Sequence, residues 1–178
     1  MSISVTPALK DKLAKIKIFV CDVDGVLTDG SVYIGQSDET KRFHIRDGLG
    51  LVMLRKAGFK IGWVSNRPST ATTLRAEELK IDFLVQNKGN KVAEVESILA
   101  KTGFTWEQVS YMGDDIVDLG VLKRAGFAVC VPEGLAEAKA AAHYVTQTTG
   151  GNGAVREVAE LILKAQSHWE RLIAEYSA

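Results

Sequence analysis

The sequence predicts an α/β chain built on a doubly wound (Rossmann-like), mainly parallel sheet. Short segments rich in β-branched and aromatic residues alternate with helical segments from one end of the chain to the other. Three of those short segments end in polar residues: Asp22 and Asp24, then Ser65-Asn66-Arg67, then Asp114 and Asp115. Open parallel sheets gather functional groups beyond the carboxyl ends of their strands, and this punctuation fits that rule. The length of 178 residues suits one domain, and no repeat, low-complexity tract or linker divides it. Residues 1–178 therefore read as a single domain.

Thr6 and Pro7 have the residue types of an N-cap and a first helical position, opening a short helix over residues 6–14. Residues 16–21 form the first strand. Residues 32–35 and 41–45 flank Gln36-Ser37-Asp38-Glu39-Thr40 and predict a β-hairpin, an insertion spanning about 31–45. Asp47 reads as the cap of a helix from Gly48 to about Lys56, closed by Ala57-Gly58. Residues 60–64 make the next strand, Pro68 opens a helix to about Leu79, and residues 82–85 make a third strand. Asn90 starts a helix with Val92, Val95, Ile98 and Leu99 on one face. Strands at 109–112, 127–131 and 144–145 alternate with helices ending near Arg124 and covering 136–142. Gly150-Gly151-Asn152-Gly153 then breaks the chain before one long helix from about Ala154 to Tyr176.

Composition excludes several classes. A hydrophobic share of 46% and a charged share of 25% are those of a water-soluble globular protein. Lys+Arg and Asp+Glu both number 22, so no general attraction to nucleic acid or to a membrane surface is expected. Cys21 and Cys130 both fall in apolar strand-like runs, which argues against a disulfide and for a reducing compartment. With no secretory pattern at the N-terminus and no apolar run of membrane-spanning length, a cytoplasmic protein is expected.

The acids carry the chemistry. Asp22 and Asp24 lie two apart in an extended segment and so share a side. Two carboxylates leaving an apolar strand together are costly unless paired, and a divalent cation is the usual partner. With Mg²⁺ held there, each polar strand end has something to offer a phosphate ester. Asp22 can act as nucleophile, Asp24 as general acid and base, and Ser65 as donor to a phosphoryl oxygen. Lys91 supplies positive charge, and Asp114 completes the cation's shell with Asp115 and Asp118 outside it. Each residue also has a plainer explanation. Asp24-Gly25 suits a turn, Ser65 a helix cap, Lys91 a solvated helix face, and the three later acids a helix N-terminus. The combination, in this order and at strand ends, favours the site.

These motifs resemble the haloacid dehalogenase superfamily of Mg²⁺-dependent phosphatases along nearly the whole chain. Asp22-Val23-Asp24-Gly25-Val26-Leu27-Thr28, Ser65, Lys91 and Gly113-Asp114-Asp115-Ile116-Val117-Asp118 match its four signatures. The resemblance implies Asp22 as nucleophile, Asp24 as general acid/base, and Mg²⁺ on Asp22, Asp114 and the Asp24 main-chain carbonyl. The gaps between signatures are too short for the cap domain most relatives carry, so the site is expected to be open, as suits a large substrate or an oligomer. A closer resemblance lies in Phe43-His44-Ile45-Arg46-Asp47-Gly48-Leu49-Gly50, Ser65-Asn66-Arg67 and Gly150-Gly151-Asn152-Gly153-Ala154-Val155-Arg156-Glu157. These look like the capless 3-deoxy-D-manno-octulosonate 8-phosphate (KDO 8-phosphate) phosphatases. That family implies a homotetramer with its hairpins in a central barrel, and a place in making the sugar acid of lipopolysaccharide. It also implies substrate contacts from His44, Arg46, Asp47 and Gly48, some in a neighbour's site.

Arg67 and Arg75, eight apart on the helix read from Pro68, would lie near one face, where a guanidinium pairs well with a sugar-acid carboxylate. Phosphatases of sialic-acid-type 9-phosphates often carry Glu at position 67, so Arg67 favours the octulosonate. Asn66 stands where relatives commonly have Gly, beside the phosphate, and Val52 near where some have another Arg. The glycine run 150–153 reads either as a flexible helix lead-in or as a segment closing over an adjacent site. A phospho-receiver domain shares much of this inventory, but its phosphorylated Asp ends a middle strand where this chain has Ser65. A carbon dehalogenase would need neither Asp24 nor a metal cluster. A non-catalytic assembly subunit would not need every catalytic position filled.

Overall fold

The computed structural model describes residues 6–36 and 39–178. Helix α1 (Pro7–Lys15) starts where Thr6 Oγ1 accepts the Leu9 N–H at 3.3 Å. Strand β1 (Ile18–Cys21) follows and is buried throughout. Its side chains alternate between two cores: Phe19 and Cys21 face one, Ile18 and Val20 the other. A strand apolar on both sides belongs at the centre of a covered sheet, and β1 sits there.

The hairpin is smaller than the sequence suggests. Strands β2 (Tyr33–Ile34) and β3 (Glu39–Thr40) pair antiparallel, with Tyr33 opposite Thr40 and Ile34 opposite Glu39. Residues 41–44, expected in the second strand, run on as irregular chain instead, and the turn residues Ser37 and Asp38 lie outside the described residues. Helix α2 (Ile45–Lys56) begins three residues before Gly48, with His44 at its N-cap position. Asp47 therefore does not cap α2. It lies in the first turn, and its Oδ1 accepts the Arg156 N–H at 2.7 Å, capping a distant helix.

Strand β4 (Lys60–Ser65) returns alongside β1. Helix α3 (Thr70–Leu79) opens two residues after Pro68, because Ser69 Oγ accepts the Thr72 N–H and takes the cap. Arg67 is thus on the loop before α3, and the shared helix face expected for Arg67 and Arg75 does not exist. Strand β5 (Phe83–Gln86) forms the sheet edge. Helix α4 (Lys91–Thr102), capped by Asn90, crosses back to strand β6 (Val109–Gly113) on the other side of β1. A 3₁₀ turn at Ile116–Asp118 leads into the single turn of α5 (Leu119–Leu122), so the helix expected to reach Arg124 is short. Strand β7 (Phe127–Cys130), helix α6 (Ala136–Ala141) and strand β8 (Tyr144–Val145) complete the sheet.

The order β5-β4-β1-β6-β7-β8 is parallel at every pairing. The chain winds outward from β1 to β5, then restarts at β6. The reversal leaves a crevice beyond the ends of β1, β4 and β6, the place where doubly wound sheets bind ligands. Helices α2 and α7 (Ala154–Ala165) pack together on one face and α4 to α6 cover the other. The long C-terminal helix expected to reach Tyr176 is two helices, α7 and α8 (Trp169–Ser177). The break falls at Ser167, which takes a left-handed φ of 60°. Gln166 Nε2 ties the turn to the carbonyls of Leu13 and Ile16 at 2.8 and 2.9 Å, and Leu172 returns to the core. Among the described residues no helix is long and apolar enough to cross a membrane.

Candidate active site

Register explains how distant residues meet. Cys21, the last residue of β1, lies opposite Trp63 of β4 and Met112 of β6. Asp22 therefore emerges between Ser65 and Asp114. These three line an open cavity of about 220 Å³ with Asp24, Asn66, Arg67, Lys91, Asp115 and Val117. Among the described residues no cap domain covers it.

Lys91 is the first residue of α4, yet it is buried rather than solvated. Its Nζ lies 2.9 Å from Asp22 Oδ1 and 2.7 Å from Asp118 Oδ1. Burial alone would lower its pKa, but the two carboxylates outweigh that and raise it above the usual lysine value, so the ammonium stays charged. Asp118 is also filled on every side: Oδ1 accepts the Tyr111 hydroxyl at 2.6 Å, and Oδ2 accepts the N–H groups of Asp114 and Asp115 at 3.1 Å. Asp115 turns away to accept the Ile116 N–H. Ser65 Oγ is engaged with the backbone of Arg67.

Carboxylate oxygens of Asp22, Asp114 and Asp118 approach within 4.8 Å of one another. Because the lone pairs of Asp118 are already used, Asp22 and Asp114 are the two with capacity left for a cation. Asp114 Oδ1 is buried with no hydrogen-bond partner. Gly25, at a φ of +92°, presses its backbone against the same carboxylate where any Cβ would collide with Asp114 Oδ2. Burial, then the charges of Asp22 and Asp118, push the Asp114 pKa up to about 7, and burial pushes Asp22 up to about 6. This crowded carboxylate pair, with one Asp22 oxygen on Lys91 and the buried Asp114 Oδ1 left without a partner, fits Mg²⁺, which takes a few carboxylates and completes its shell with phosphate and water.

The sign of the pH effect follows. With folded-state pKa values raised above an ordinary 3.8, the metal-free native state holds protons that the unfolded chain has released, so these groups subtract stability as pH rises toward 7. Mg²⁺ binds the ionised pair and removes that cost. Melting curves should therefore show a larger Mg²⁺-induced rise in Tm at about pH 8 than at about pH 5.5. An equal rise at both would remove Asp22 and Asp114 as the binding pair.

Two residues at the site escaped sequence reasoning. Lys41 leaves the hairpin with a fully buried side chain, its Nζ 2.7 Å and 3.0 Å from the two oxygens of Asp24 and 3.4 Å from Thr72 Oγ1. Glu39 Oε2 lies 2.6 Å from Arg67 Nη2. A charged residue in a polar hairpin looks solvated in the sequence, and only the closure of the hairpin over α3 turns these two inward. Their spacing of two, which puts them on one side of an extended chain, was the one available signal.

The remaining candidates lie elsewhere in the single chain. His44, Asp47, Gly48 and Arg75 line a separate, tighter hollow with Leu27, Phe43, Trp63 and Leu79. Arg75 Nη1 pairs with Glu78 at 2.6 Å, and Arg46 is exposed on the first turn of α2. The glycine run packs against the loop that follows Asp24: Gly151 N–H donates to the Val26 carbonyl at 3.0 Å, and a Cβ at Gly150 would strike the Gly25 carbonyl. It braces its own chain's loop, which neither reading of the glycines anticipated.

A parallel-sheet crevice holding a strand-end acid pair, a buried lysine and a second acidic loop defines a class, and the chain belongs to the haloacid dehalogenase-like hydrolases, which residues 63–158 match. Within that class it belongs with the 3-deoxy-D-manno-octulosonate 8-phosphate phosphatases. It is 39% identical over 160 residues to the enzyme KdsC of that name from Yersinia pestis, covering 89% of this chain and 86% of that protein. Its structure is similar to that of the phosphatase of the same name from Moraxella catarrhalis, solved with magnesium ion, phosphate ion and KDO. The TM-score is 0.91 at 40% identity, over 94% of this chain and 97% of that one. The cobalt-bound Haemophilus influenzae phosphatase superposes with a TM-score of 0.85 at 38% identity, over 88% and 92% of the two chains.

Proposed function

We propose that the protein is a Mg²⁺-dependent phosphomonoesterase that hydrolyses 3-deoxy-D-manno-octulosonate 8-phosphate to the free sugar acid and phosphate. The observation that carries this is Asp22, held at the end of the central strand by Lys91 at 2.9 Å and facing the unpartnered Asp114 carboxylate, in a chain 39% identical to a phosphatase of that substrate.

Asp22 attacks phosphorus, and the bond from phosphorus to the sugar oxygen breaks as an aspartyl phosphate forms. Asp24 gives a proton to the departing sugar oxygen. It then takes one from the water that attacks the phosphorus of the aspartyl phosphate, which releases phosphate and restores Asp22. Lys91 fixes the orientation of Asp22 and faces the charge gathered on the phosphoryl oxygens, while Ser65 and the loop of Asn66 receive one of those oxygens. Mg²⁺, when bound by Asp22, Asp114 and the Asp24 carbonyl, neutralises phosphate charge in the ground and transition states. Asp115 and Asp118 order the loop that presents Asp114. Arg67, at the mouth, is assigned the sugar carboxylate.

An open site asks for cover from a neighbour, and a homotetramer supplies it. In support, Tyr33 and Ile34 of the hairpin are 63% and 81% exposed, and Ile45 and Leu74 beside it are 75% and 61% exposed. Assembly through that face would bring His44, Arg46, Asp47, Gly48 and Arg75 toward an adjacent site. A sedimenting mass of four chains is the expected result. The buried thiols of Cys21 and Cys130 suit a cytoplasmic enzyme of lipopolysaccharide synthesis.

The test is kcat/KM over a panel of sugar phosphates with Mg²⁺. KDO 8-phosphate should lead the nine-carbon sialic-acid-type 9-phosphates, the alternative substrates, by at least about tenfold; both carry the carboxylate, so the difference reports how the site fits the rest of the sugar. Preference for a 9-phosphate would transfer the assignment to that class.

A further inference from the structure

An arginine that selects a carboxylate is useful only if its guanidinium is held in place. Arg67 lies on a loop and its side chain is 41% exposed. A long side chain left free there loses rotamer entropy each time a ligand binds. What holds it comes from the hairpin. Glu39 Oε2 grips Nη2 at 2.6 Å, and the other terminal nitrogen, Nη1, is buried with no partner. The contact is one-sided: Glu39 takes one corner of the fork, and Arg67 lines the cavity of the acids. Glu39 is itself held by Lys41, whose Nζ lies 4.0 Å from Oε1. The nearby Ser69 side chain, then the charges of Arg67 and Lys41, hold its carboxyl below the usual glutamate range. Lys41 in turn bonds Asp24. The result is a row of alternating charge, Arg67–Glu39–Lys41–Asp24, whose two middle members stand in β3 and directly after it.

We infer that Glu39 is a positioning residue for substrate selection: it presets the Arg67 guanidinium at the cavity so that it meets the sugar carboxylate. The inference rests on Arg67 reading that carboxylate, as proposed above. The opposite role, in which Glu39 stands in for the substrate anion and must be displaced, would call for the two-toothed pairing a carboxylate makes when it occupies the whole fork.

The two roles predict opposite signs. In Glu39→Gln, and more so in Glu39→Ala, KM for KDO 8-phosphate should rise about 2- to 10-fold, the range for immobilising one flexible side chain. kcat should stay within about twofold, and KM for ribose 5-phosphate, which has no carboxylate, should not move. In an Arg67→Ala background the Glu39 substitution should add nothing. A fall in KM for KDO 8-phosphate, or an equal rise for both substrates, overturns the inference. A readout free of substrate separates its failure from that of the substrate assignment. Side-chain ¹⁵N relaxation of Arg67 should show an ordered guanidinium in the wild type and a mobile one in Glu39→Gln. An equally ordered Arg67 in both rejects the positioning role whatever the substrate proves to be.

Discussion

Asp22→Asn should abolish phosphate release, by about 10⁴-fold or more, while the chain stays folded. Asparagine keeps the shape of the side chain and an oxygen for Lys91, 2.9 Å away in the wild type. It lacks the anionic oxygen that becomes the acyl phosphate. The stability effect runs the other way. Asp22, Asp114 and Asp118 crowd together around the single ammonium of Lys91, and burial already pushes Asp22 toward its neutral form. Removing one charge relieves that crowding, so the metal-free variant should melt at or above the wild-type temperature. Its Mg²⁺-induced rise in Tm should shrink, because one ligand is gone. Steady-state phosphate release and melting curves with and without Mg²⁺ check both halves. Activity within about tenfold of wild type would take the nucleophile's role away from Asp22.

The fold was legible wherever an element's residues answer to the sheet. Ile18–Cys21 is apolar on both faces, so its strand type and its central place follow from the four residues alone. Boundaries failed where a tertiary contact overrides a local signal. Asp47 has the chemistry of a cap, and it does cap a helix, but the one that begins more than a hundred residues later. Nothing local says so. Pro68 is a sound helix opener, yet Ser69 outcompetes it with a hydrogen bond to Thr72. The apolar periodicity of residues 154–176 runs on unbroken, while Gln166 turns its amide to α1 and bends the chain.

The candidate site divides in the same way. Asp22, Ser65 and Asp114 were legible because strand ends in a parallel sheet converge, a rule of topology that needs no contact information. Lys91 was legible through its spacing after β5, though its complete burial was not. The hairpin residues Glu39 and Lys41 were invisible because their partners, Arg67 and Asp24, are far along the chain and because charges in a turn-rich segment are usually solvated. Arg75 illustrates the converse: a plausible helical spacing from Arg67 vanished once the helix began at Thr70, and Arg75 faces α2 instead.

Lys91→Met should be the most destabilising single change at the site and should also remove activity. Lys91 is the only cation in contact with Asp22 and Asp118 among the described residues. Methionine matches its length but leaves two buried carboxylates facing each other without a counter-charge. Breaking a buried pair in this way costs about 3–5 kcal/mol, because the orphaned charge, rather than the lost attraction, dominates. For a chain of this size that is a fall in Tm of roughly 10 °C. Two features bound the loss. Asp118 keeps the Tyr111 hydroxyl and two backbone N–H groups, so it does not stand alone. Mg²⁺ between Asp22 and Asp114 supplies a second source of positive charge, so the variant should recover more of its Tm on adding Mg²⁺ than the wild type gains. The pH dependence separates this from simple loss of packing. The wild-type lysine, its pKa raised above the usual value in the fold, contributes its full stability throughout the neutral range and loses it only as pH climbs past the ordinary lysine value. In Lys91→Met the unpaired carboxylates instead take up protons, so the variant should regain stability as pH falls from about 8 to about 5.5. Parallel melting curves for wild type and variant at both pH values, that do not converge at the lower one, would show that packing rather than charge is what Lys91 contributes.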